Sequence, residues 1–541
     1  MNPANYRARL LWDCFRIFVI PASVLSSVLL LLGYQLGLLS IPTHLGFILL
    51  WGTLKSLYAE SKQEKEARAI GAKTIPCVIG KWPGNVDVLF RMVKAFKNSY
   101  VLDVYLELFE EYQCTTLNLR VLWRDNIISM DQEHAKYVTS TGFSQFWRGI
   151  SQKERMELFL GEGIFNRDDE KWKMHRNMTR PFFSRERFSD FELFERHCAR
   201  TISILSSLEA SGTACDAQDL YGRFSLDAAS EFLMGKNLDT LSASLPVAGK
   251  TAMGPKGSAT EDHWGSFTRA FEMAQLNITH RGRLGAIWPL FELFKDKNEE
   301  HCKVIRAWMD PLTACALTFL TYFLAIHPDV ATKMRAEILE YCGPTSPPTF
   351  DNIKRMKYMR AVINETLRLF PPVPLNVRET RTSSCVLPPS DCTFSTGSGD
   401  SKSPLYMPAK TTILYLPLLI QRNPAHWGAD ADEFKPERWI DPESVARYVA
   451  NPTIFTPFSA GPRICIGQNY AYNEMSYFLV RLLQKFDKFT LCPEFQPEGS
   501  LPPLEWKNRK GRQAYEQIWP SAALTLYVKG GLWVKFHRAR S

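Results

Sequence analysis

The sequence predicts a mainly helical chain with small β-sheets, one large domain behind an N-terminal membrane anchor. Three observations carry that expectation. Apolar residues recur at helical spacing through most of 131–340, and again in 352–370 and 469–486. Short alternating or continuous apolar runs at 116–131, at 411–420 and beyond Pro502 have strand character. From Ile17 to Leu54 the chain carries no Asp, Glu, Lys or Arg.

The N-terminal run comes first. A helix needs about 20 apolar residues to span a bilayer, and IFVIPASVLSSVLLLLGYQLGLL supplies them. HLGFILLWGTL, after Ile41-Pro42, is short for a second span and suits the membrane interface as well. The run is too long for a cleaved signal peptide and lacks a small-residue cleavage site. Arg7, Arg9 and Arg16 precede it and Lys55, Lys62, Lys65 and Arg68 follow, so flanking charge alone does not orient it. Residues 1–60 are read as the anchor, 61–85 as a linker rich in Gly, Pro and basic residues, and 86–541 as the domain.

Within the domain a helix is expected around 86–111, then a hairpin over TLNLRVLWRDNIISMD with Arg124-Asp125 near its turn. DDEKWKMHRNMTRPFF reads as a helix that Pro181 ends, and NIKRMKYMRAVINETLRLF as one that stops at Pro371-Pro372. VLPPSDCTFSTGSGDSKSPLYMP is a polar surface loop. TTILYLPLLI, ALTLYVKG and LWVKF are strand-like.

Charge and cysteine usage narrow the function classes. The 65 basic and 56 acidic residues, formally +9, are scattered, with no Lys/Arg block and no nucleic-acid motif, so no nucleic-acid partner is expected. A mildly basic surface suits an acidic protein or anionic lipid. Twelve cysteines without a CxxC pair or small-domain spacing point to reduced thiols facing a reducing compartment. The sequons at Asn177, Asn277 and Asn364 then read as chance matches.

The most informative stretch is FSAGPRICIGQN, residues 458–469. Cys465 sits where a loop becomes a helix, and the amide end of a helix favours a thiolate. Gly461 and Gly467 permit tight turning and close approach of a flat ligand. Phe458 is placed to pack beside the sulfur, and Arg463 to meet an anionic group on the same ligand. An isolated cysteine is more often a buried apolar residue. The joint pattern F-x-x-G-x-R-x-C-x-G has one explanation, a metal cofactor held by a single axial thiolate.

On these residues the chain resembles the membrane-anchored cytochromes P-450, haem-thiolate monooxygenases, and further motifs follow in that family's order. Glu365-Thr366-Leu367-Arg368 is similar to its E-x-x-R helix, and Pro436-Glu437-Arg438-Trp439 to the segment whose arginine joins that pair. The resemblance implies that Glu365, Arg368 and Arg438 form a buried network supporting the haem pocket. Trp172 and Arg176, one helical turn apart in WKMHR, and Arg378 in PPVPLNVRETR resemble the residues that meet haem propionates. The resemblance runs from about Asn85 to the C-terminus, and implies a P-450-like fold around haem b with Cys465 as axial ligand.

One stretch departs from the family. Its long distal helix carries a motif like A-G-x-D-T-T, where an acid and an alcohol help deliver protons to iron-bound oxygen. Here the corresponding residues are HCKVIRAWMDPLTACALTFLTYFLAIHPDV. Pro311 is disfavoured inside a helix, and Asp310-Pro311 reads as an N-cap and first helical residue. From Leu312 to Ile326 the helix would be about 22 Å long, so the distal helix reads as truncated. Thr313 aligns with the family's alcohol, and Asp310 is one residue too far from it. Three readings stay open: a segment lost at the Leu312–Thr313 join through a misassigned splice, a variant in which Thr313 still works, or a haem protein that does not activate O₂.

The resemblance implies insertion of one atom of O₂ into an apolar substrate, with NADPH-derived electrons from a membrane-bound diflavin reductase. GEGIFNRDDEKWKMHR and NETLRLFPPVPLNVRETR look closest to fungal alkane and fatty-acid hydroxylases, which implies a long-chain lipid or alkane. The endoplasmic reticulum membrane, with the catalytic domain facing the cytosol, is the implied location. The alternatives are a haem-thiolate isomerase or dehydratase that does not use O₂, and a catalytically impaired haem binder or mis-spliced product.

Overall fold

A computed structural model describes residues 5–184, 191–258, 260–306, 314–389 and 403–539. The stretch read as one domain folds as parts of two compact units, each discontinuous in sequence. The first is Met1–Asp168, His280–Asp296 and Leu375–Leu416, and the second is Asp169–Thr279, Lys297–Pro374 and Pro417–Ser541.

The first unit begins with two helices long and apolar enough to cross a membrane, α1 (Tyr6–Leu31) and α2 (Gly37–Ala69). In α1 the ladder widens to π geometry over Phe15–Val19, just ahead of Pro21, whose missing N–H cannot continue the regular pattern. α2 runs on to Ala69, into the stretch whose composition reads as a linker. The expected 86–111 helix is two helices, Val86–Asn98 and Asp103–Tyr112, because Leu102 takes a left-handed conformation between them.

A five-stranded sheet completes this unit, in the order Thr116–Asn118, Asn126–Ser129, Thr412–Tyr415, Asn376–Thr380, Phe146–Trp147. Its first two strands pair antiparallel, as the alternation predicts, across a turn centred on Leu122-Trp123, with Arg124-Asp125 next to it. Asn126–Ser129 then runs parallel to Thr412–Tyr415, the strand-like half of TTILYLPLLI, and Pro417–Ile420 turns into a short helix.

The second unit is helical. It contains α3 (Asp169–Thr179), α4 (Glu192–Ala210), α5 (Ala217–Met234), α6 (Ala314–Ile326), α7 (Lys357–Leu369) and α8 (Gln468–Lys485). α8 is its central rod. Phe478 packs on Tyr221 and Phe224 of α5, with ring centroids 5.2 and 4.7 Å apart, and Tyr470 lies 5.3 Å from Phe194 of α4. α6 is core too, since Phe319 stacks on Phe370 at 4.2 Å and Tyr221 Oη shares a 2.8 Å hydrogen bond with Thr321 Oγ1. α3 ends two residues before Pro181, and α7 ends just before Pro371-Pro372. The predicted C-terminal strands appear as Leu526–Val528 and Trp533–Arg538.

Asp216 joins the start of α5 to the strand Trp533–Arg538. Its Oδ1 accepts from the amides of Gln218 at 3.0 Å and Leu532 at 2.9 Å, and its Oδ2 from the Ser258 hydroxyl. Burial, with the nearby Asp219 charge, pushes its carboxyl up to about 6. The folded chain therefore holds this proton more tightly than the unfolded chain, and the group's contribution falls as pH rises from about 4 to about 6. Asp216→Asn keeps the cap without the buried charge. Its stability relative to the parent is expected to rise across that window in urea titrations, whereas Asp216→Ala costs about 0.5–2 kcal/mol for the lost cap.

Candidate functional site

The loop that enters α8 is built by two left-handed residues, Ser459 (φ 64°) and Gly461 (φ 65°). They fold 458–465 back so that the Cys465 amide donates to the Phe458 carbonyl at 2.9 Å. Gly467 differs from expectation. Its φ of −87° suits any residue, and what its position needs is room, because a Cβ there would lie 3.3 Å from the Phe183 ring. The tight turn belongs to Gly461, and Gly467 is a close-packing site at the N-cap of α8. Phe458 packs against Tyr472 at 5.3 Å.

Cys465 is the exposed cysteine among the described ones. Protein atoms still crowd it, and burial raises its thiol pKa, while the Gly467 amide and the Arg176 charge pull the other way. Arg176, on α3, donates to the Ile464 carbonyl at 3.0 Å, next to the cysteine. The guanidiniums of Arg176 and Arg463 lie over the buried Trp172 ring, 5.8 and 4.5 Å from its centroid. The loop and α3 thus bring Cys465, Arg463, Trp172 and Arg176 together. Arg378 belongs to the first unit, in the strand Asn376–Thr380, buried and donating to the Val377 carbonyl at 2.8 Å. Thr313, with Asp310 and Pro311, lies outside the described residues.

This set of side chains fits haem. No group of three or more His, Cys, Asp or Glu able to hold a metal ion occurs among the described residues. A single accessible thiol beside two guanidiniums matches a metal that arrives with four ligands of its own and carries anionic substituents. A thiol raised by burial becomes thiolate when a cation competes for its proton.

Behind the loop lies the network of Glu365, Arg368 and Arg438. Arg368 grips Glu365 with two hydrogen bonds of 2.8 Å, and Arg438 Nε adds one of 2.9 Å. Arg368 also donates to the carbonyls of Gln421, Ala431 and Glu433. Glu365 further accepts from the Lys435 amide at 3.0 Å and the Trp439 indole at 2.9 Å. The side chains of Glu365 and Arg368 are fully buried. Burial alone would raise the Glu365 carboxyl, but Arg368, Arg438 and the Lys435 amide outweigh it and hold the pKa below the ordinary value.

The network reaches the cysteine loop by two routes that motif reading did not find. The Gln421 side chain donates to the Leu367 carbonyl and accepts from the Thr456 amide, at 2.9 Å each. Asn364 accepts from Tyr472 Oη at 2.8 Å, and Tyr472 supports Phe458. Trp439, fourth residue of the PERW segment, was visible in that motif, whereas Gln421 carried no local signal.

The family described as Cytochrome P450 matches residues 84–310 and 312–510. The chain belongs to the cytochrome P450 family. It is therefore a haem-thiolate oxidoreductase of the monooxygenase type, and the family works with a redox partner, O₂ and apolar substrates. Cytochrome P450 52-E3 of Starmerella bombicola is 30% identical over 474 residues, covering 78% of this chain and 87% of that protein. Cytochrome P450 52A13 of Debaryomyces hansenii is 30% identical over 455 residues, covering 75% and 84%. Cytochrome P450 monooxygenase alt2 of Alternaria solani is 30% identical over 487 residues, covering 78% and 87%.

Replacing Glu365 by Gln leaves two buried guanidiniums without their anion and is expected to cost about 3–5 kcal/mol, read as a lower urea midpoint. Because the folded Glu365 pKa is lowered, the stability it adds is fully present above about pH 4.3, its unfolded value, and is lost as pH falls through the folded value. The difference between parent and Glu365→Gln should therefore shrink on acidification.

Proposed function

We propose that the chain hydroxylates long-chain lipids or alkanes at the endoplasmic reticulum membrane, with its catalytic body in the cytosol. The observation that carries the reading is the accessible Cys465 thiol beside Arg176 and Arg463. Cys465 would hold the haem iron through its sulfur as a thiolate. Arg176, Arg463 and Trp172 would hold the propionates, the role that the family resemblance also gives to Arg378. Phe458, packed on Tyr472, would sit beside the sulfur, and the left-handed Gly461 turns the loop toward the ring while Gly467 leaves room for Phe183. Haem b, when bound, supplies the activation of O₂. NADPH provides two electrons through a diflavin reductase docking on the basic face near Cys465. One oxygen atom enters a C–H bond of the substrate, and the other leaves as water with two protons. Thr313 is the residue assigned to pass protons on the distal side.

The substrate class rests on the likeness of 161–176 and 364–381 to fungal alkane and fatty-acid hydroxylases. A second reading is favoured by one observation, that the family match breaks at residue 311. That break falls beside Asp310-Pro311, where the distal helix reads as truncated. On this reading the chain binds haem but rearranges or dehydrates its substrate without O₂, or is an impaired product of a misassigned splice.

The deciding experiment is a reduced, carbon-monoxide-bound absorption spectrum of the chain in microsomes, followed by turnover of fatty acids and alkanes with reductase. The expected results are a red-shifted thiolate-type Soret band and NADPH use matched by hydroxylated product. NADPH consumed only to make hydrogen peroxide, or turnover of a peroxide substrate without reductase, would favour the second reading. Cys465→Ala is expected to abolish the thiolate band, and its survival would remove Cys465 as the ligand. Arg176→Leu is expected to lower the haem-to-protein ratio while leaving the urea midpoint nearly unchanged.

A further inference from the structure

The two N-terminal helices end at the same place. Asp13, near the start of α1, receives Arg124 Nη2 at 3.0 Å, while Gln63, near the end of α2, donates to Asp125 Oδ2 at 2.7 Å. Consecutive residues just past the turn centred on Leu122-Trp123 thus hold both ends. Each end has further ties to the first unit. Tyr6 Oη donates to the Glu292 carbonyl at 3.0 Å and Arg7 Nε to the Leu293 carbonyl at 2.8 Å. Arg9 pairs with the buried Glu154 at 2.7 Å. From α2, Glu60 pairs with Arg120 at 2.9 Å, and Glu66 accepts from Tyr406 Oη.

Between those ends there is no charged residue from Ile17 to Leu54. The helices reverse direction through Gly33 and Gly37, both left-handed. The residues at the reversal are strongly exposed and apolar: Leu30 at 78%, Leu31 at 87%, Leu38 at 99% and Ile41 at 73%. Polar groups inside the hairpin find partners within it: Ser26 Oγ is paired across the helices with His44 Nε2 at 2.9 Å, His44 Nδ1 meets the Ser40 carbonyl at 2.8 Å, and the Thr43 and Thr53 hydroxyls donate to the Leu39 and Leu49 carbonyls at 2.7 and 2.9 Å. Such pairing is what hydrocarbon demands of buried polar atoms.

The geometry points to a helical hairpin that enters and leaves the lipid bilayer through the same face, so that the N-terminus lies on the same side as the catalytic body. A single span would carry Asp13 and Arg9 to the opposite side from Arg124 and Glu154, breaking both pairs. The charge-free parts, Ile17–Leu31 and Gly37–Leu54, are about 22 and 27 Å long at 1.5 Å per residue, against about 30 Å of hydrocarbon. The hairpin therefore has the length to sink deeply, with its apolar tip innermost. Arg7, Arg9 and Arg16 at one end and Lys55, Lys62 and Lys65 at the other both suit the cytosolic face. The inference rests on the apolar helices entering a membrane and not on the haem chemistry.

The test uses the full chain in sealed microsomes, with an epitope and a glycosylation acceptor added ahead of Met1 and a second epitope at the C-terminus. The expected result is loss of both epitopes to external protease at similar rates without detergent, no glycan on the acceptor, and retention in the pellet after alkaline carbonate. In the same membranes, Asp13→Cys with Arg124→Cys should cross-link with a short bifunctional thiol reagent, well above either single variant. A protected or glycosylated N-terminus with an accessible C-terminus, or full release by carbonate, would overturn the hairpin. So would the absence of cross-linking.

Discussion

Glu365, Arg368 and Arg438 are withdrawn from water together, and ions so placed are tolerated only while their hydrogen-bonding groups are partnered. That condition organises the second unit. The Glu365 oxygens are shared among two guanidiniums, an amide and an indole. Arg368 reaches three backbone carbonyls in 421–433, so α7 cannot shift without leaving acceptors in that segment unmet. Gln421 passes the constraint to Thr456, and Asn364 to Tyr472 and Phe458. The loop carrying Cys465 is thereby fixed from behind, and its open face remains free for a ligand.

The thiol's environment follows from that division. Crowding by the loop raises the Cys465 pKa, while the Gly467 amide and Arg176 oppose the shift without reversing it. A helix N-terminus is a modest source of positive potential, of order 0.3–1 kcal/mol where exposed, and is a poor match for desolvation of a crowded sulfur. Thiolate character at this position thus depends on a bound cation more than on the protein. That is the behaviour expected of a ligand rather than of a free nucleophile.

How much was legible in sequence varied with how local the cause was. The 458–467 loop, the helix carrying Trp172 and Arg176, the 116–129 hairpin and the stops before proline all follow from residues close in sequence, and they were readable. Breaks set by one backbone conformation were not: Leu102 splits the 86–111 helix, and Met356 (φ −73°, ψ 87°) divides 350–369. The packing need at Gly467 was not legible because it comes from Phe183, far away in the chain. Gln421 was missed for the same reason, since its partners Leu367 and Thr456 lie 54 and 35 residues away.

The anchor shows the same limit from the other direction. Positive charge on both flanks of an apolar run gives a single span no preferred direction, and on that count orientation was undecided. Two spans in sequence remove the contradiction, because both basic flanks then occupy one side. What composition could not supply was the pairing: nothing in the order of residues says that Asp13 and Gln63 meet neighbouring side chains of a turn more than 60 residues further on. Arg9 and Glu154 make the point energetically. Glu154 is nearly devoid of solvent contact and its carboxyl pKa is raised by burial despite Arg9, so parting the pair would strand a desolvated charge or force its protonation. A helix end held by such a pair is part of the folded body, and the membrane must accommodate the hairpin from the side on which that body lies.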